Sequence, residues 1–105
     1  PDHLDALNNL GNIYLRRHQI DEAITLFRRA LLADPEYVRA HNNLGNAYLA
    51  SDNPRRALSA FESAAKINPR YAPARAALAR LYSRMGRQAL ADSHRQIYRR
   101  LAEGP

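Results

Sequence analysis

The feature that most constrains this chain is an internal period of 34 residues. Leu10, Gly11, Tyr14, Ala23, Phe27, Ala30 and Pro35 recur in the same order as Leu44, Gly45, Tyr48, Ala57, Phe61, Ala64 and Pro69. A period of this size signals a stacked array in which each unit buries its apolar face against its neighbours. A third unit keeps step at Leu78, Tyr82 and Ala91, but places Ala79 at the glycine, Arg95 at the phenylalanine, Tyr98 at the second alanine and Glu103 at the proline. Pro1 falls in register with Pro35 and Pro69, as the last landmark of a preceding unit would, so the 105 residues read as a segment of a longer array.

Within each unit the apolar spacing is helical. The expected elements are six helices, over 4–17, 21–33, 37–50, 54–67, 73–85 and 88–102. Asn53 followed by Pro54 reads as an N-cap with a first-turn proline, Asp21 and Glu22 place acid at a positive helix start, and Gly86 breaks the third pair. Short connections make successive helices antiparallel neighbours. Gly11 and Gly45 sit inside helices, where glycine costs about 1 kcal/mol relative to alanine, so close approach of a neighbouring helix is expected there. Leu10, Tyr14, Ala23 and Phe27, with their repeats, are expected to form the core. A single domain results, divided as 4–37, 38–71 and a degenerate, capping 72–105.

Spacing, landmark identities and helix lengths together resemble the tetratricopeptide repeat (TPR) family over nearly the whole chain. The tryptophan often found three residues before the leucine is replaced by Leu7 and His41. The resemblance implies an all-α, right-handed solenoid of antiparallel helix pairs, whose first helices line a concave groove that binds an extended or helical peptide.

Asparagine carries the functional signal. Asn8, Asn9 and Asn12 surround Gly11, and Asn42, Asn43 and Asn46 surround Gly45 in the same way. Asparagine is a mediocre helix former because its side chain competes for backbone groups, so six in two helices require a reason. A carboxamide offers both donors and an acceptor and can hold the N–H and C=O of a peptide bond whatever that peptide's side chains are. These residues resemble the asparagine-rich inner surface of TPR superhelices of the O-linked N-acetylglucosamine transferase type, which grips peptide backbone; the alternative role is hydrogen bonding between helices. The carboxylate clamp of chaperone-tail-binding TPR domains is only half matched: Asn12 and Asn43 fit, but Asn8, Pro73 and Ala77 stand where cations are needed. Arg16, Arg39, Arg80 and Arg84 form a different cationic rim near the expected groove.

Charge is graded along the chain. Residues 1–37, 38–71 and 72–105 carry net charges of −2, +3 and +5, within a total of +6, and all basic residues but Lys66 are arginine. An acidic peptide suits such a surface. Nucleic acid is not expected, since no reader motif is present and the aromatics are committed to the core. His3, His18, His41 and His94 lack ligand spacing, and no nucleophile–base pair or phosphate-cradling loop occurs, so neither enzyme chemistry, a metal nor a cofactor is expected. No apolar run approaches the roughly 20 residues needed to span a bilayer. No cysteine is present, which leaves the compartment open, with the cytoplasm as default.

The expected function is therefore a protein-interaction scaffold without catalysis. The alternative is an architectural spacer or self-assembling segment. In the last helix Arg95, Asp92, Arg99 and Arg100 suit solvent, while Leu90, Ile97 and Leu101 leave an apolar stripe that either packs inward or supports a homo-oligomer.

Overall fold

The computed structural model describes residues 3–104, so Pro1 and its place in the repeat lie outside the described residues. Six helices follow one another: α1 (His3–Arg16), α2 (Ile20–Ala33), α3 (Val38–Ala50), α4 (Pro54–Ile67), α5 (Ala72–Arg84) and α6 (Gln88–Glu103). They match the sequence-based spans to within one residue at each end. α1 packs on α2, α3 on α4 and α5 on α6, and the hairpins are joined through α2 against α3 and α4 against α5.

The first helix of every hairpin ends in the same way. Gln19, Asn53 and Arg87 each donate a backbone N–H to the carbonyl five residues back, on Tyr14, Tyr48 and Tyr82, at 2.8–2.9 Å. His18, Asp52 and Gly86, one residue earlier, take positive φ values of 64°, 60° and 76°. This is a Schellman stop, which satisfies carbonyls left over at a helix end. Only the third uses glycine, the residue that suits left-handed backbone best. Replacing Asp52 with Gly is expected to raise stability by about 0.5–1 kcal/mol, read as a small rise in thermal midpoint.

Two of the second helices, α2 and α4, also close alike. Asp34 and Asn68 accept through Oδ1 from the N–H of Glu36 and Arg70, at 3.0 and 3.1 Å, setting the turns that carry Pro35 and Pro69. The N-cap expected at Asn53 is present, its side chain accepting from the Arg56 N–H at 3.3 Å ahead of Pro54.

Phe27 and Phe61 lie at the centre of the stack with no exposed surface, and Ala23, Ala57 and Ala91 are equally buried. The in-helix glycines have a different partner from the one expected. A Cβ at Gly11 would lie 2.5 Å from the Phe27 ring, and one at Gly45 would lie 2.6 Å from the Phe61 ring. The missing methyl therefore admits an aromatic ring of the same hairpin, not a neighbouring backbone. This explains the double change in the third unit, where Ala79 can carry a Cβ because Arg95 brings no ring.

Leu10 departs from its expected place in the core. It is 43% exposed, whereas Leu44 is 8% exposed. Ala6 and Ile13 are likewise exposed where Ala40 and Ala47 are buried. The cause is the stacking itself: α2 covers this face of α3, and among the described residues no helix covers it on α1.

Candidate functional site

The asparagines divide into two groups that the sequence could not separate. Asn8 is 1% exposed, and its Oδ1 accepts from Asn43 Nδ2 of the next hairpin at 2.8 Å. Asn42, one repeat on, is also buried, and its Oδ1 has no hydrogen-bond partner. The repeat supplies the reason. Asn43 answers Asn8 from 35 residues further along the chain, but the residue in that relation to Asn42 is Ala77, which has nothing to donate. Asn8, Asn42 and Asn43 thus belong to the seam between hairpins, and the first two are too buried to meet a peptide in a groove.

The remaining residues stay available. Asn9 and Asn46 are exposed and Asn12 is half-buried. Asn12 and Asn46 occupy the same repeat position, whose third member is Arg80. Arg16 and Arg84 form a parallel exposed row with Ala50 between them. Arg39 is also exposed, but it is 3.5 Å from Asp5 and so is partly neutralised. Arg16, Arg80 and Arg84 form no ion pair among the described residues.

Asp5 also accepts a hydrogen bond from the Tyr37 hydroxyl. Burial, followed by this bond to a carboxylate, pushes the Tyr37 hydroxyl up to about 12, so it stays protonated and tethers α1 to the start of α3. Tyr71 occupies the next equivalent position, and its pKa is raised by burial while nearby Arg39 opposes the rise. The Asp5–Tyr37–Arg39 group therefore works as a polar clasp along the first-helix edge, and sequence reading passed over it because Asp5 lies 32 residues from Tyr37.

A second missed feature concerns the position of the absent tryptophan. His41 Nε2 lies 2.8 Å from the Pro35 carbonyl, and Arg75 Nε donates to the Pro69 carbonyl at 3.1 Å. A polar side chain here fastens the helix start to the preceding turn. Arg75 also contacts His94 Nδ1 at 3.0 Å, and His94 stacks on Tyr82 with ring centroids 5.6 Å apart. Burial lowers the His94 pKa, with Glu62 pulling it up and Arg75 pushing it down.

On α6 only Ala91 is fully buried, while Ile97 and Leu101 are half-buried and Leu90 is 37% exposed, so the apolar stripe is only partly covered. The outward row is charged, with Arg95 Nη1 on Asp92 Oδ1 at 2.7 Å. Among the described residues no helix is long and apolar enough to cross a membrane, and no three His, Asp or Glu side chains converge as metal ligands.

A family model described as tetratricopeptide repeat matches residues 2–70. Among solved structures, the Yersinia enterocolitica type III secretion translocator chaperone SycD superposes with a TM-score of 0.90 at 19% identity, over 99% of this chain and 79% of that one. The Sgt2 TPR domain from Aspergillus fumigatus gives 0.87 at 26% identity, over 93% of this chain and 65% of that one. The first TPR of Spaghetti (RPAP3), solved bound to the HSP90 peptide SRMEEVD, gives 0.90 at 21% identity, over 99% and 82%. No curated protein sequence matches the chain.

Proposed function

This chain belongs to the tetratricopeptide repeat family, and from that premise we propose that it is a protein-interaction scaffold that holds an acidic partner segment along its first helices. The observation that carries this reading is the row Asn12–Asn46–Arg80. Its two carboxamides make no side-chain hydrogen bond among the described residues, although the neighbouring Asn8 and Asn43 use theirs between hairpins. Groups left over by the packing are free to serve a ligand.

In this reading Asn12 and Asn46, together with exposed Asn9, hold the backbone of the partner segment, in the manner expected of asparagine-rich TPR superhelices. Arg80, Arg84 and Arg16 attract its acidic side chains. Both helices of a hairpin contribute to the core, and the exposed row of the first helices supplies the binding surface. The bound SRMEEVD peptide of the Spaghetti structure supports peptide capture by this fold in general. A pinned C-terminal carboxylate is not part of the proposal here, because Asn8 is buried and Pro73 and Ala77 cannot supply charge.

The test uses an acidic peptide selected on the full chain from a random library. Asn12→Ala with Asn46→Ala is expected to weaken its binding about tenfold or more, on the scale of one or two lost hydrogen bonds, with helical circular dichroism and melting cooperativity preserved. Amidating the peptide's C-terminus should change little. Unaltered affinity in the double variant would overturn the proposed site.

A further inference from the structure

We propose that the crevice where α2, α3 and α4 meet is a phosphate-binding site, separate from the surface of the first helices. It has a volume of about 370 Å³, and Arg28, Tyr48, Asn53 and Arg56 contribute to its lining. Arg28 Nη2 donates to the Tyr48 hydroxyl at 2.6 Å, and the Arg56 guanidinium carbon lies 5.9 Å from the centre of the same ring. Two guanidinium groups are thus gathered on one buried tyrosine. Among the described residues neither is ion-paired with a carboxylate.

Like charges are not brought together by packing needs alone, and the repeat shows that the fold does not require them. One unit further on, Tyr82 stands for Tyr48, Glu62 for Arg28 and Leu90 for Arg56. There the charge near the tyrosine is a carboxylate's: after burial, the Glu62 charge is what most raises the Tyr82 pKa. The scaffold therefore accepts an acidic residue and an apolar one at these two places. The arginine pair is a local specialisation of the junction between the first and second hairpins.

The donors point to a phosphate dianion. Arg28 uses one N–H on Tyr48, and its remaining N–H groups and those of Arg56 are free of carboxylates. The Tyr48 oxygen accepts from Arg28, which leaves its own proton to donate. Asn53 spends its Oδ1 on the Arg56 backbone and keeps its amide N–H groups. Donors arriving from three helices suit a tetrahedral ligand with several acceptor oxygens better than a planar carboxylate, which one guanidinium fork already satisfies. Asp21 shares the rim, so the crevice carries one net positive charge from these three groups. The ligand is either a phosphorylated side chain or the free ion, since both present the same oxygens.

The experiment titrates the full chain, at constant ionic strength, with inorganic phosphate, with blocked phosphoserine and with acetate. Side-chain NMR signals of Asn53, Arg28 and Arg56 report occupancy. Saturable shifts with phosphate are expected, weakened about tenfold or more by Arg28→Gln with Arg56→Gln, and unaffected by Arg95→Gln with Arg99→Gln. Saturation by both phosphate ligands assigns a phosphorylated side chain, and by inorganic phosphate alone the free ion. Unsaturable shifts, equal losses in the two double variants, or acetate as effective as phosphate would each overturn the site. Circular dichroism establishes folding of each variant, and Arg56→Gln alone, which leaves the Arg28–Tyr48 bond in place, serves where the double variant is unstable.

Discussion

Replacing Phe61 with Ala is expected to cost about 3–5 kcal/mol, the range for emptying a buried aromatic site. Against the roughly 5–15 kcal/mol total stability of an ordinary domain, this would remove a large part of the cooperative melt. Phe61 is fully buried in the middle hairpin, and its ring occupies the space that a Cβ on Gly45 would need. The two residues should therefore be coupled. Gly45→Ala alone gains about 1 kcal/mol of helix propensity but forces methyl and ring together at 2.6 Å, and overpacking of that kind costs about 1–3 kcal/mol. A net loss is expected. In a Phe61→Ala background, where every ring atom facing Gly45 is gone, the same Gly45→Ala change should become neutral or stabilising. Denaturant unfolding of the two singles and the double measures this reversal of sign. Additive effects would show that the glycine serves something other than the ring.

The second large effect concerns the seam of asparagines. Asn8→Ala should cost about 2 kcal/mol, since it deletes a buried hydrogen bond and leaves the Asn43 donor without its partner. Asn42→Ala should cost clearly less although Asn42 is nearly as buried, because its Oδ1 is already without a partner. Ala77→Asn supplies the donor that the repeat lacks at this junction. It should stabilise the chain by up to about 1 kcal/mol once its lower helix propensity is counted, and the gain should vanish when Asn42 is Ala. Chemical unfolding checks all four variants. Equal costs for Asn8→Ala and Asn42→Ala would count against the seam.

How much of this was legible follows from what each residue's role depends on. Landmarks that pack within their own hairpin, such as Ala23 with Phe27 and Ala57 with Phe61, declared themselves through the period. So did the N-cap at Asn53, whose signal is local. Gly86 was readable as a helix stop, yet His18 and Asp52 adopt the same left-handed backbone without glycine, and their residue types gave no sign of it. The twin asparagine clusters were visible, but their division was not. Whether a carboxamide faces a neighbouring hairpin or solvent depends on how successive units are rotated, which spacing along one helix does not determine. Leu10 illustrates the same point, since an identical residue at an identical position is core or surface according to what lies against it. The paired loss of glycine and phenylalanine in the third unit could have been read as one event, and becomes so once ring and glycine are seen to touch.

Binding along the first helices is tested most directly by titrating the isotopically labelled full chain with the selected acidic peptide and recording which NMR signals move. The expected result is a continuous track over the side-chain amides of Asn9, Asn12 and Asn46 and the guanidinium signals of Arg80 and Arg84, with the outer faces of α2, α4 and α6 unchanged. Shifts confined to those outer faces, or scattered without saturation over all the arginines, would contradict it.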